Sequence, residues 1–250
     1  MRPLLITICA LTAFRVYAWS ERLALVEVVL PLALFLSIKG LRSTRSSVRL
    51  LTSVGPLVAL PTLVLYFGFA ESVRSWQSTT YNGKMGFWEF AVGRLASYYY
   101  TALNNGAGLL ATNSWPELKF RYVLGMLYTA PLGLGSIFRS VVDLRGSPLT
   151  DFLARYGDPE FNNPSGLYTV VFDLGIAGAV VYFALVGFLA GVLYRRFVAG
   201  SMLGGLLYPM FFISYLEIFR YPYLGSGRGF AWAVGICAIL LISGRHKIKY

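Results

Sequence analysis

Residues 162–193 decide how the chain is read: Asn162-Asn163-Pro164-Ser165-Gly166, then LYTVVFDLGIAGAVVYFALVGFLAGVL from Leu167 to Leu193. The run is 27 residues of almost unbroken apolar sequence and is stopped by Arg195 and Arg196. A helix of that length crosses a bilayer core of ~30 Å with tilt to spare. Proline suits a first helical position and asparagine suits the position before it. The spacing therefore predicts a helix with Asn163 as its cap and Pro164 as its first residue. Asp173 lies inside the run, less than two turns in. A carboxylate at that depth is costly, so it is expected to serve function or to bond a neighbouring helix. Sequence leaves both readings open.

The rest of the chain has the same character. Of its 250 residues, 56% are hydrophobic and only 13% are charged, with a mean hydropathy of +0.62. Soluble domains carry about 25% charged residues. The composition places the chain among integral membrane proteins, as a single membrane domain over 1–250. Cys9 and Cys237 lie far apart in apolar runs and read as buried small hydrophobes, with no disulfide framework. The segment after Arg2 runs straight into apolar sequence without a clear small-residue cleavage site, so no cleavable signal is expected.

Six spans are predicted: Pro3 to about Tyr17, Leu23–Ile38, Leu50–Phe69, Leu167–Leu193, Leu203–Phe219 and Phe230–Ile242. The first, second and sixth are shorter than ~20 residues, so their ends are expected to reach into the interface. If the spans alternate, ten basic residues and no acidic ones fall on one side: Arg2, the Lys39–Arg49 link, Arg195-Arg196 and the tail Arg245, Lys247, Lys249. The positive-inside rule makes that side cytoplasmic and puts both termini there. It also accounts for nearly all of the net charge of +11 as orientation and contact with anionic lipid, and argues against nucleic acid as a partner.

One large extracytoplasmic loop remains, from about Ala70 to Gly166, with eight basic and seven acidic residues. A loop so long and so mixed is expected to be folded and functional. From Phe87 to Asn105 a stripe of Phe87, Phe90, Ala91, Arg94, Tyr98, Thr101 and Asn105 recurs at the helical period. Trp88 and Tyr98 to Tyr100 suit a helix lying at the membrane surface. Phe120 to Gly135 is apolar but interrupted by Pro131 and glycines, and reads as re-entrant or interfacial. The expected fold is all-α: a polytopic membrane protein of about six transmembrane helices, whose outer loop holds amphipathic and re-entrant helices.

The chemistry open to such a chain is narrow. The lone His246 sits in the basic tail, which excludes a histidine triad or a histidine-based metal site within the fold. No cysteine pair has zinc spacing, no phosphate loop follows a strand, and no Asp-x-Asp pair is present to hold a metal–nucleotide sugar. No metal or cofactor is expected. What remains at the outer face is arginine, carboxylate, tyrosine and asparagine. Guanidinium groups offer paired donors to phosphate and stay charged, so outer arginines suit a pyrophosphate ligand. Arg94, Arg121, Arg139, Arg220 and Arg228 are the candidates, each taken singly more simply read as a solvated or ion-paired side chain. Arg220 has such a partner in Glu217, three residues back on the same helical face. Arg228 lies in Gly225-Ser226-Gly227-Arg228-Gly229, a glycine-rich turn able to bring amides near a phosphate. The helix start at Asn163-Pro164 offers free amides to an anion, or is ordinary capping. Glu27 is buried by sequence, either paired with an arginine or catalytic. The pairs Gly175/Gly178 and Gly187/Gly191 are most simply close helix contacts.

The stretch Asn162 to Thr169, then Phe172-Asp173-Leu174-Gly175-Ile176-Ala177-Gly178, then Gly187 to Tyr194, resembles the signature of bacterial oligosaccharide repeat unit polymerases. These are the Wzy-type O-antigen and exopolysaccharide polymerases. Arg15 with Ser20-Glu21-Arg22-Leu23-Ala24, Arg94-Leu95 with Tyr98-Tyr99 and Asn104-Asn105, and Phe219-Arg220 are similar in the same order. Members usually carry further spans ahead of this part, so the resemblance implies a C-terminal half, from a truncated or mis-started reading frame. It also implies a membrane glycosyltransferase of the bacterial cell envelope, in the inner membrane. Its donor and acceptor are polyprenyl-pyrophosphate-linked oligosaccharides, and it works beside chain-length regulator and flippase proteins. An acceptor hydroxyl attacks the anomeric carbon and polyprenyl pyrophosphate leaves. On that reading Arg94 and Arg220 hold pyrophosphate, with Arg121 and Arg228 behind them. Asp173 acts as a carboxylate in catalysis or holds an arginine, and Asn105, Asn163 and Tyr98 contact sugar. A lipid-linked glycan ligase shares this physics. A transporter would keep its polar sites nearer the midplane, and a non-catalytic membrane subunit is the blander alternative.

Overall fold

A computed structural model describes residues 6–7, 10–12, 14, 22–72, 84–142, 144, 146–158 and 160–245. Among these residues the secondary structure is helical, with no strand. The helices, in order, are α1 (Arg22–Leu41), α2 (Ser46–Glu71), α3 (Phe87–Thr112), α4 (Gly125–Tyr128), α5 (Leu134–Val141), α6 (Pro148–Tyr156), α7 (Gly166–Val198), α8 (Met202–Glu217) and α9 (Gly227–Arg245). The chain divides into two compact units, Met1–Ser97 and Tyr98–Tyr250, with the boundary inside α3.

Among the described residues, two helices are long and apolar enough to cross a membrane: residues Ala24–Leu41 of α1, and α7. A third span results if Ser46–Gly55 and Leu57–Glu71, bent by 49°, count as one. α8 and Gly227–Leu241 of α9 are apolar but shorter. The predicted first span lies largely outside the described residues. Large apolar side chains stand uncovered along α1 (Val29, Leu32, Leu36), α2 (Leu50, Leu57, Phe69) and α7 (Val180, Leu185, Phe188). Such surface suits lipid and is costly in water.

In the Met1–Ser97 unit, α1 and α2 form a helical hairpin. The first turns of α3 pack on the end of α2, where a Cβ on Gly68 would meet that of Ala91 at 2.7 Å. The stripe predicted on α3 is the face it buries. Phe90, Ala91 and Arg94 are buried in this unit, and Ala102, Asn105 and Leu109 continue the face in the second. Glu27 is half-buried on α1.

In the Tyr98–Tyr250 unit, α7 and α8 are the main antiparallel pair. α7 does not run as one straight helix. Gly175 takes φ 72°, ψ 175°, a conformation open to glycine almost alone, and divides α7 there. The part beyond the break, Ile176–Val198, is about 35 Å long at 1.5 Å per residue, sufficient for a bilayer core. Gly175 therefore serves a break rather than a helix contact. Gly178 faces only its own Leu174, Gly191 faces open space, and Gly187 makes ordinary contact with the Tyr215 hydroxyl. Among the described residues, the close helix contacts expected of these glycines are absent. Cys237 is free and exposed on α9, not buried; it shares the uncovered apolar surface of Val234, Leu240 and Leu241.

Candidate functional site

The start of α7 differs from the sequence expectation. Ser165, not Asn163, is the cap; its Oγ accepts from the Leu167 amide at 3.2 Å. Ser165 is held extended because its own amide donates to the Ala102 carbonyl at 2.9 Å. Pro164 thus precedes the cap, and Gly166 begins the helix. Thr169 Oγ1 donates back to the Ser165 carbonyl at 3.0 Å. Asn105 secures the approach: its amide nitrogen donates to the carbonyls of Phe161 (2.7 Å) and Asn163 (3.2 Å). Asn105 is buried, so it tethers the loop from within. Asn163 is half-buried and contributes its carbonyl to that tether.

Past the start of α7, the break at Gly175 frees main-chain acceptors. The carbonyls of Phe172 and Asp173 would otherwise serve amides one turn on. They accept instead from Glu117 (2.9 Å) and Leu118 (3.0 Å) of the segment between α3 and α4. The Asp173 side chain extends the same docking. Its Oδ2 accepts from the amides of Tyr122 (2.7 Å) and Val123 (2.8 Å). Asp173 is fully buried and its Oδ1 has no hydrogen-bond partner. Residues 115–124 thus form a strap laid across the break, with Leu118 and Phe120 in the left-handed region at φ 54° and 51°. On the strap, Arg121 makes a two-pronged pair with Glu117: Nε to Oε2 at 3.1 Å, Nη2 to Oε1 at 2.9 Å. Its Nη1 donates to the Gly146 carbonyl at 3.0 Å. The bonds from Arg121 hold the Glu117 carboxyl below its usual value, and Glu117 in turn raises Arg121. Burial pushes the Tyr122 phenol well above its usual value.

The strap also walls a cavity of about 30 Å³. Tyr122 and Val123 line one side, Tyr182 and Phe183 of α7 another, and Tyr215 of α8 and Tyr221 complete the lining of this half-open site. That volume holds about two waters. The glycine-rich turn is fitted to the strap: a Cβ on Gly225 would collide with the Tyr122 carbonyl. Gly227 and Arg228 begin α9, and the Arg228 amide bonds Ser226 Oγ at 3.3 Å. Gly225 is therefore needed for close packing against the strap, whereas a Cβ on Gly227 would meet only Thr129 Oγ1 at 3.4 Å. Arg228 itself is half-buried.

Arg220 lies in the turn after α8. Its Nε donates to Glu217 Oε2 at 2.7 Å and its Nη2 pairs with the same oxygen, realising the three-residue spacing. Its Cζ stands 6.0 Å from the centre of the Tyr98 ring, within cation–π range, and Tyr98 meets Phe161 edge-on at 5.0 Å. Tyr99 titrates above its usual value because of burial and the Glu217 charge, with Arg220 pulling the other way. The Arg220 side chain keeps 22% exposure.

Arg94 is in a different setting. In the Met1–Ser97 unit its Nε bonds Glu71 Oε2 at 2.7 Å, with 3% and 0% of the two side chains exposed. Arg139 is exposed on α5, its Nε bonded to the Gly135 carbonyl at 3.2 Å. The structure thus gathers Asp173, Arg121 and the Tyr122–Val123 wall at the break, and Arg220 with Tyr98 at the α8 end. Sequence reasoning missed Glu117, Ser165 and the cavity tyrosines. Only Glu117, four residues before Arg121, left a readable spacing. Among the described residues no group of histidine, cysteine and carboxylate side chains is placed to hold a metal. Comparison with protein-family models, with curated proteins and with solved structures finds no match.

Proposed function

We propose that this chain polymerises polyprenyl-pyrophosphate-linked oligosaccharide repeat units at the outer face of the bacterial cytoplasmic membrane. The reading takes six spans with both termini cytoplasmic and residues 70–166 outside, which the one-sided distribution of basic residues supports. The order of motifs similar to the Wzy-type polymerases supports the reaction class. The observation that carries the reading is the Arg220 cluster. Two of the five guanidinium donors go to Glu217, which fixes the fork, and the others are left for a ligand. Tyr98 and Tyr99 flank it as rings on which a sugar can stack.

In the reaction, an acceptor hydroxyl oxygen bonds the anomeric carbon while that carbon's bond to pyrophosphate breaks, and the hydroxyl proton passes to solvent. Charge develops on the leaving pyrophosphate, and a guanidinium already oriented there stabilises it without reorganisation. Arg220 is assigned this part, with Arg121 and Arg228 as further cations of the same unit. Arg94, sealed against Glu71, is assigned to the fold instead.

The test is complementation. The gene is deleted in its host, the 250-residue chain is expressed alone, and the polysaccharide ladder is resolved on a gel. A ladder lost on deletion and restored by the chain, but not by Arg220→Ala at equal membrane level, is the expected result. Restoration only from a longer upstream start assigns polymerase activity to a larger protein. Polymer made but left unattached points to a glycan ligase, and a deletion without ladder defect sinks the proposal.

A further inference from the structure

We infer that Asp173 is a positioning residue: it fixes the 115–124 strap over the α7 break, and with it the Arg121–Glu117 pair and the tyrosine-lined cavity wall. This deepens the polymerase reading and rests on it for its link to activity. Four strap amides, those of Glu117, Leu118, Tyr122 and Val123, end on two consecutive residues of α7, Phe172 and Asp173. The Asp173 side chain alone takes two of the four through Oδ2. Those two belong to the residues that wall the cavity, and Arg121 immediately precedes them.

The alternative role for a carboxylate here is to take a proton from the acceptor hydroxyl. The geometry favours anchoring. Asp173 is fully buried, and the oxygen that is bonded already accepts from two amides of the strap. A proton acceptor must come within hydrogen-bond reach of the reacting hydroxyl. An anchor must meet the strap, which this side chain does. The two roles also differ in what they demand chemically. Anchoring needs one oxygen with two lone pairs, which asparagine supplies; proton transfer needs the carboxylate.

The experiment combines hydrogen exchange on the detergent-solubilised full chain with the polysaccharide ladder, for wild type, Asp173→Asn and Asp173→Ala. Asp173→Asn is expected to keep slow exchange over residues 117–123 and to keep the ladder. Asp173→Ala removes the acceptor of two hydrogen bonds, so strap exchange is expected to accelerate about tenfold or more. The ladder is expected to be lost with it. Asp173→Asn that keeps a protected strap but yields no ladder overturns the proposal, because the carboxylate itself is then required. Unchanged strap exchange in Asp173→Ala overturns it from the other side. If Asp173→Ala does not fold, the ladder and exchange of Asp173→Asn decide between the roles alone. If neither the wild-type chain nor a longer upstream start restores the ladder, the polymerase reading fails, while the exchange contrast still tests the anchor.

Discussion

Two arginine–glutamate pairs with nearly the same bond length do different work. Arg94 and Glu71 meet at 2.7 Å with both side chains sealed from solvent. Arg220 and Glu217 also meet at 2.7 Å, but 22% and 14% of their side chains remain exposed. Removing one partner of a sealed pair strands the other charge at low dielectric. Removing one partner of an open pair leaves the other to water. Burial, not contact distance, separates the two: the first pair belongs to the fold, and the second is the one the polymerase reading leaves to a ligand.

The largest effect is therefore expected in the Met1–Ser97 unit. Arg94→Ala should cost about 3–5 kcal/mol, because it removes the 2.7 Å cationic partner of a fully buried carboxylate. The check is the thermal melting of the detergent-purified protein. The double variant Arg94→Met with Glu71→Gln should recover much of the loss, since neither side chain then carries a stranded charge. An Arg94→Ala protein that melts like wild type breaks the comparison at its root and reopens Arg94 as a ligand group.

A backbone change supplies the next step of the scale. At Gly175, φ 72° and ψ 175° place any other residue in a region reserved almost wholly for glycine. Gly175→Ala should cost of order 1–3 kcal/mol by strain. Space is not the obstacle: an added Cβ would meet Pro116 at an ordinary 3.5 Å. Hydrogen exchange should report the loss first at residues 117–118, whose amides bond the carbonyls the break frees. Loss spread evenly over both units would mean that the break and the strap are not coupled.

This break also marks how far the sequence could be read. Leu167–Leu193 announces a long apolar helix through composition alone, and the stripe on α3 announces its buried face through period. Glu217–Arg220 was visible because one turn of helix brings residues three apart together. A glycine in an apolar helix, by contrast, looks the same whether it eases packing or breaks the helix. Asp173 was conspicuous, but its partners are amides about fifty residues away, and an amide carries no side-chain signature. The cap moved from Asn163 to Ser165 for a similar reason: the Ala102 carbonyl that holds Ser165 extended is distant in sequence. Glu71–Arg94 was hidden because the two sit on different helices, 23 residues apart.

A third pair, Glu117–Arg121, falls between the other two. Its side chains are 14% and 13% exposed, with Lys119 Nζ 3.7 Å from the same carboxylate. Because Arg121 lowers the folded value of Glu117, the pair's stabilising effect is fully present above the ordinary carboxylate value of 4.5. It is lost as pH falls below that point through the lower folded value. Strap exchange, corrected for the intrinsic pH dependence of amide exchange, should thus rise below about 4.5 as this pair is lost. Glu117→Gln should remove that rise and leave a modest, pH-independent loss. A rise that persists in Glu117→Gln would assign the titration to another strap-facing group.

The smallest effect on stability, and the one that separates fold from function, is expected at Arg220. Its pair with Glu217 is partly wet and spans a single helical turn, so Arg220→Ala should cost no more than about 1 kcal/mol. The Tyr98 contact at 6.0 Å adds little at such a partly exposed site. On the polymerase reading the same substitution abolishes the ladder. Arg220→Lys should retain a little activity, because an ammonium keeps the charge but loses the planar fork. A stable, membrane-inserted Arg220→Ala protein without activity would set function against stability in the opposite sense to Arg94. If instead Arg220→Ala melts as far below wild type as Arg94→Ala, the open pair is as structural as the sealed one. The assignment of the pyrophosphate to Arg220 then fails, and Arg121 and Arg228 become the cations to test.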